Sequence, residues 1–151
     1  MRKIGPVALQ KAQGQEIGLS AWCRVDQARI DAFAEVSGDR QFIHVDPDRA
    51  ASSVFGGIVA HGMLSLSIMS GMAATTLPEV EGQKAAINFG LETLRFRTPV
   101  RPGDNIRARF VLSELTRRGR GDLLARFAVK LEIEGEKRPA LTADWLILYV
   151  F

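Results

Sequence analysis

The chain has a single cysteine, Cys23, and only two histidines among its 151 residues. One thiol cannot form an intrachain disulfide, and without a CxxC pair or a Cys/His cluster the sequence offers none of the ligand spacings of structural zinc. No metal and no cofactor are expected, and this cysteine usage fits a reducing, cytoplasmic location. Charge of one sign is also scarce: 20 basic residues against 17 acidic ones leave a formal net charge of +3. Its one dense cluster, Arg117, Arg118 and Arg120 around Gly119, lies between strand-like segments with no aromatic residues interleaved to stack on bases. A solvated hairpin loop is expected there, and no nucleic-acid partner. Long apolar runs are missing too. The segment MRKIGPVALQKAQGQEIG has basic residues but no continuous apolar stretch of signal-peptide length, so secretion is not expected. The uncharged segment from His61 to Leu77 is shorter than the ~20 residues of a membrane helix. It contains five Ser/Thr residues, which suits a buried helix better than a lipid-facing one, and no membrane partner is expected.

What is present is the composition of an ordinary globular domain, 46% hydrophobic and 25% charged. A chain of this length buries about 68–70% of its extended surface, enough for a core without disulfide or metal. No linker, repeat or composition shift divides the sequence, so one domain over residues 1–151 is expected.

In DQARIDAFAEVS, Ile30, Phe33, Ala34 and Ser37 recur at helical spacing, with Asp26 as N-cap and Gly38 beyond the end. A polar loop follows, and Pro47 suits the first turn of a short helix reaching Ser52. Gly62 to Leu77 is uncharged around its whole circumference. It reads as a helix enclosed on nearly all sides and stopped by Pro78. The remainder reads as strands. Ile87, Phe89 and Leu91 alternate on one phase and Leu94 and Phe96 on the other, which predicts a bulge near Glu92 or Thr93. The turn PVRPGD leads to Ile106, Ala108, Phe110 and Leu112; after the basic loop, Leu123 to Ile133 alternates without a break. Beyond the turn at Gly135, Leu141–Phe151 becomes apolar on both faces, as an inner or interface strand does. One buried helix and a run of antiparallel strands make an α+β fold in which the sheet wraps the helix, the hot-dog arrangement. A single copy leaves sheet edges and apolar faces open, so a homodimer or a dimer of dimers is expected.

Both histidines fall in SGDRQFIHVDPDRAASSVFGGIVAHGM, Ser37 to Met63. Asp39 and His44 flank a loop that can point a carboxylate and an imidazole at one water, the pairing that general acid/base chemistry requires near neutral pH. Spacing alone favours the alternative in which Asp39 caps local backbone and His44 is a satisfied core histidine, since such pairs are frequent. His61-Gly62-Met63 opens the uncharged helix, where free N–H groups and the positive dipole end gather and Gly62 admits a close ligand. A thioester carbonyl would be polarised there; alternatively His61 caps or packs and Gly62 only permits a tight entry.

Ser37-Gly38-Asp39, His44, Phe55 and Ile58-Val59-Ala60-His61-Gly62-Met63 together resemble the signature of the MaoC-like dehydratase and (R)-specific enoyl-CoA hydratase family. Many members carry Asn-Pro where this chain has Gln41-Phe42. This form, with INFGLETLRF and PVRPGD, is similar to the subgroup related to nodulation protein N. The resemblance implies a hydro-lyase that adds water to a trans-2-enoyl thioester to give an (R)-3-hydroxyacyl thioester. It implies Asp39 and His44 as the catalytic pair around one water, with Asp39 provisionally the base and His44 the acid. Gly62 N–H would meet the thioester oxygen, and Ser70, Gln41 and His61 would support the site; Ser65 and Ser67 are possible substitutes for Ser70. Acyl-CoA or an acyl-carrier thioester is then a substrate rather than a cofactor. A hot-dog thioesterase and a noncatalytic acyl-thioester binding module are the alternatives. Carrier phosphates would be met by Lys84, Arg95, Arg97 or the Arg117–Arg120 loop, among which the sequence does not choose.

Overall fold

Every second residue of three long segments is buried, and this period of two makes the sheet. The computed structural model describes residues 2–119 and 121–151, so Arg120 of the basic cluster lies outside the described residues. In chain order the elements are β1 (Lys3–Ile4), α1 (Pro6–Lys11), β2 (Glu16–Leu19), β3 (Cys23–Arg24), α2 (Gln27–Ser37), α3 (Phe42–Val45), α4 (Pro47–Ala51), α5 (Gly62–Thr76), β4 (Glu79–Val80), β5 (Ala85–Phe96), β6 (Asn105–Arg118), β7 (Asp122–Ile133) and β8 (Leu141–Val150). The main antiparallel sheet has the order β2-β6-β7-β8-β5, with β3 also paired to β6; β1 and β4 form a separate parallel pair. β8 lies inside the sheet, as its two apolar faces require.

Phe110 of β6, Phe127 of β7 and Trp145 of β8 point inward and meet Leu64, Met69, Met72 and Ala73 of α5 in one core. Trp145 keeps its indole N–H satisfied by donating it to Asn88 Oδ1 on β5, at 2.7 Å. The sheet laid over α5 is the hot-dog fold, α+β in class. Among the described residues no helix is long and apolar enough to cross a membrane.

β5 carries the register shift expected near Glu92, between Leu91 and Thr93, and a second one between Asn88 and Gly90. Asp26 caps α2 by accepting the Arg29 N–H, and Gly38 ends that helix in the left-handed region at φ 76°. Three expectations are corrected. The loop after Gly38 contains a further helical turn, α3, which buries His44. Ser37, counted on the apolar face of α2, is exposed; its hydroxyl donates to the Phe33 carbonyl and accepts the Asp39 N–H. And α5 is not enclosed: Met63, Ser67, Gly71 and Ala74 form an exposed stripe along one flank. The sheet covers one side of a helix, and among the described residues no element covers this flank.

Candidate active site

The segment before α5 runs extended between α3 and the turn ahead of β6. Val59 N–H donates to the Ile43 carbonyl at 3.0 Å and Ala60 N–H to the Val100 carbonyl at 2.7 Å. This places the start of α5 beside the Asp39–His44 loop. His44 is 6% exposed, and its Nδ1 lies 2.6 Å from the Val59 carbonyl oxygen. A carbonyl can only accept, so Nδ1 holds the proton and Nε2 of the neutral ring carries a lone pair. Gln27 of α2 donates to the His44 carbonyl at 2.9 Å and fixes the turn from the other side. Burial lowers the His44 pKa from its ordinary 6.5, against the Val59 hydrogen bond, which raises it; His61 adds a smaller lowering and Asp39 a smaller raising effect.

Asp39 is exposed on the loop, and its Oδ1 accepts the Gln41 N–H at 3.3 Å. Its carboxylate and one ring nitrogen from each of His44 and His61 lie within 4.8 Å of one another. Two ordinary hydrogen bonds meeting at one water span about 4.6 Å, so carboxylate and imidazole are no farther apart than about the reach of one shared water. The same three residues do not suit a metal ion. The two imidazoles are stacked, centroids 3.7 Å apart and planes inclined by 26°. Lone pairs lying in two near-parallel planes do not converge on an ion about 2.0 Å from both nitrogens.

His61 is 2% exposed and occupies the N-cap position of α5 without capping it. Its Nε2–H donates instead to the Asp39 carbonyl at 2.8 Å, while its Nδ1 is buried with no partner among the described residues. The N–H groups of Gly62, Met63 and Leu64 have no acceptor among the described residues, as the first turn of a helix dictates. Phe96 of β5 lies over Gly62 so closely that a Cβ there would come within 2.8 Å of its ring.

A cavity of about 400 Å³ is lined by His44, Gly62, Met63, Ser65, Phe96 and Arg97, with Thr98 and apolar neighbours; Asp39 and His61 stand beside His44 and are not part of its lining. Its lining contains one charged side chain, Arg97. Lys84, Arg95 and Arg117 are not part of it. Gln41 is exposed and its side chain makes no hydrogen bond among the described residues; it serves through its carbonyl, which accepts the His44 N–H at 2.9 Å. Ser70 is not brought to this cavity. It lines a second one of about 200 Å³ with Ala73, Asn88 and Tyr149. Eight residues of helix separate it from Gly62 by about 12 Å. Ser65 is the serine of α5 that faces His44's cavity. Burial pushes the Tyr149 pKa up to about 12 in the second cavity. Sequence reasoning missed the Val59 carbonyl, Phe96 and the histidine stack; none has a local signal, since each depends on contacts made across the fold.

Residues 8–131 match the family described as MaoC like domain. Nodulation protein N of Rhizobium leguminosarum bv. viciae is 49% identical over 139 residues, covering 91% of this chain and 86% of that protein. The 3-hydroxyacyl-thioester dehydratase Z of Mycobacterium tuberculosis is 38% identical over 151 residues, covering 99% of both. The solved structure of the (R)-hydratase from Aeromonas caviae superposes with a TM-score of 0.71 at 30% identity, covering 89% of this chain and 94% of that one. A helix start whose donors, and a buried histidine whose second ring nitrogen, have no partner among the described residues, with a carboxylate within 4.8 Å of that ring, occur in a chain that belongs to the MaoC-like dehydratase family.

Proposed function

We propose that the protein hydrates a trans-2-enoyl thioester, in the first instance an enoyl-CoA, to an (R)-3-hydroxyacyl thioester, and catalyses the reverse dehydration. The observation that carries this reading is that the Nδ1-anchored imidazole of His44 and the unpaired N–H of Gly62 line one cavity, with the carboxylate of Asp39 within 4.8 Å of a His44 ring nitrogen.

The thioester carbonyl accepts from Gly62 N–H, and a water sits between Asp39 and His44. Because Nε2 of His44 carries the lone pair, it takes the water's proton as oxygen attacks C3. This exchanges the provisional roles of the pair. The C2–C3 π electrons move toward the carbonyl, whose developing negative charge lies against the helix start. The imidazolium returns the proton to C2, and the ring is neutral again. Asp39 accepts the water's second hydrogen and holds its oxygen toward C3. Every step uses groups of this chain, and neither metal nor cofactor enters. Ser65 and Arg97 line the same cavity, which supports Ser65 at the thioester end and Arg97 as the contact of a phosphorylated carrier. The exposed apolar residues of edge strand β5 support a homodimer in which two sheets join. The unpaired cysteine supports a cytoplasmic location.

The test follows enoyl absorbance after mixing a short trans-2-enoyl-CoA with the protein, with free thiol measured in parallel. Native protein hydrates it without thiol release, while Asp39→Asn and His44→Gln each lower kcat by about 10²–10⁴-fold. Near-normal turnover in either variant refutes the assignment, thiol release makes the protein a thioesterase, and binding without conversion makes it a carrier module.

A further inference from the structure

We infer that His61 is a positioning residue for this hydration: it ties the loop bearing Asp39 to the start of α5 and sets the spacing of Asp39 from His44. The inference rests on the reaction proposed above and goes further, giving one buried side chain a role in the geometry of all three reacting groups.

The loop has little else to hold it. Asp39 N–H donates to the Ser37 hydroxyl at 3.2 Å and Asp39 Oδ1 accepts from Gln41 N–H at 3.3 Å, both within two residues. The remaining bonds of residues 38–41 are equally local: Gly38 N–H to the Ala34 carbonyl, Arg40 N–H to that of Gly38, Arg40 to the Glu35 carboxylate, and His44 N–H to the Gln41 carbonyl. Local bonds define the shape of a turn and leave its placement against the rest of the protein free. The bond from His61 Nε2–H to the Asp39 carbonyl, 2.8 Å and 22 positions across the sequence, supplies that placement.

The ring is held as firmly as it holds. One face stacks on His44 at 3.7 Å, and Phe33 of α2 packs against it in a tilted contact at 5.0 Å. The titratable groups facing it are His44 from α3 and Asp39 from the loop. His61 also immediately precedes Gly62, so the Gly62 N–H donor, the imidazole and the carboxylate are referred to one rigid body. A residue selected only to fill this space would be apolar. This one leaves Nδ1 buried and unpaired among the described residues, at the desolvation cost of an unmatched acceptor, and what it gains is the Nε2–H donor.

Two substitutions separate the donor from the ring. His61→Phe keeps a flat side chain in the stack and removes the donor; His61→Gln keeps an N–H at the same reach and removes the ring. The expected result is a fall of about 100-fold in kcat for His61→Phe with KM within about threefold, and recovery in His61→Gln to within about tenfold of native. Because His61 acts through Asp39, His61→Phe should add little to the loss already caused by Asp39→Asn. Native kcat in His61→Phe, or losses that simply add in the double variant, overturns the inference. A readout independent of turnover is amide hydrogen exchange. Exchange at residues 39–41 should quicken about tenfold in His61→Phe and remain near native in His61→Gln. Unchanged exchange in His61→Phe overturns the positioning role even if the native protein hydrates enoyl thioesters, and absence of hydration with the expected exchange pattern overturns only the reaction.

Discussion

The ring of Phe96 covers Gly62, with three of its atoms 2.8–2.9 Å from where a Cβ would stand. Glycine at this position is therefore needed for contact with an aromatic from β5 as well as for access to the backbone N–H. In Gly62→Ala the ring must swing away, and the cavity lies beside it. Phe96 is half exposed and can move, so the stability change should stay below about 1.5 kcal/mol. kcat/KM, by contrast, should fall by about tenfold or more as the ring encroaches on the thioester subsite. Thermal melts and steady-state kinetics on Gly62→Ala, with and without Phe96→Ala, check this; the second substitution should restore part of the lost activity.

The buried, neutral His44 gives the protein a pH dependence of stability. Its pKa is lowered from 6.5 mainly by burial, so in acid the unfolded chain takes up a proton on this ring more readily than the folded one. Stability from this group is complete above the unfolded value and is lost as pH falls from 6.5 toward the lower folded value. Denaturant titrations between about pH 7.5 and 5 should show a declining midpoint in native protein and a flatter dependence in His44→Gln. An equally steep decline in that variant would assign the effect to other groups.

Arg97 is the one charged side chain lining the cavity and makes no ion pair among the described residues. A carrier with phosphates would meet it at the mouth. Arg97→Ala should raise KM for an enoyl-CoA by about tenfold at low salt, with the difference shrinking as salt rises. The corresponding pantetheine thioester, which has no phosphate, should be unaffected. Equal losses with both substrates would place Arg97 in general packing.

Much of this was legible in the sequence because its causes are local. Asp26 and Gly38 bracket α2 through a cap bond and a left-handed residue, and the phase slip between Leu91 and Leu94 marks a bulge within one strand. Asp39, His44 and Gly62 could be picked out because one short stretch carries them. The placement of Ser70 beside the second cavity has the opposite origin. A helix places residues by rotation and rise, and which cavity each one faces depends on the sheet laid over it. The exposed stripe on α5 likewise depends on what covers the helix, and an uncharged sequence reads the same on a covered and an uncovered flank.

That stripe and the edge of the sheet lead to a last expectation. Among the described residues β5 pairs on one side only, with β8, and it exposes Ile87, Phe89 and Leu91 at 45%, 46% and 38%. A long apolar edge left open is an aggregation hazard, and pairing it with the same edge of a second copy removes the hazard while covering the side chains on it. Each such side chain contributes about 1.5–3 kcal/mol on full burial, so a charge in the middle of the row should be decisive. Sedimentation equilibrium is expected to give twice the monomer mass for native protein and the monomer mass for Phe89→Glu at micromolar concentration. Since Phe89 lines neither cavity described above, the variant also reports whether one copy suffices for turnover. A monomer that keeps full kcat has a complete site in each chain; a monomer that is folded but inactive draws part of its site from the second copy, and Ser70, remote from His44 within one chain, is the first residue to examine across the interface.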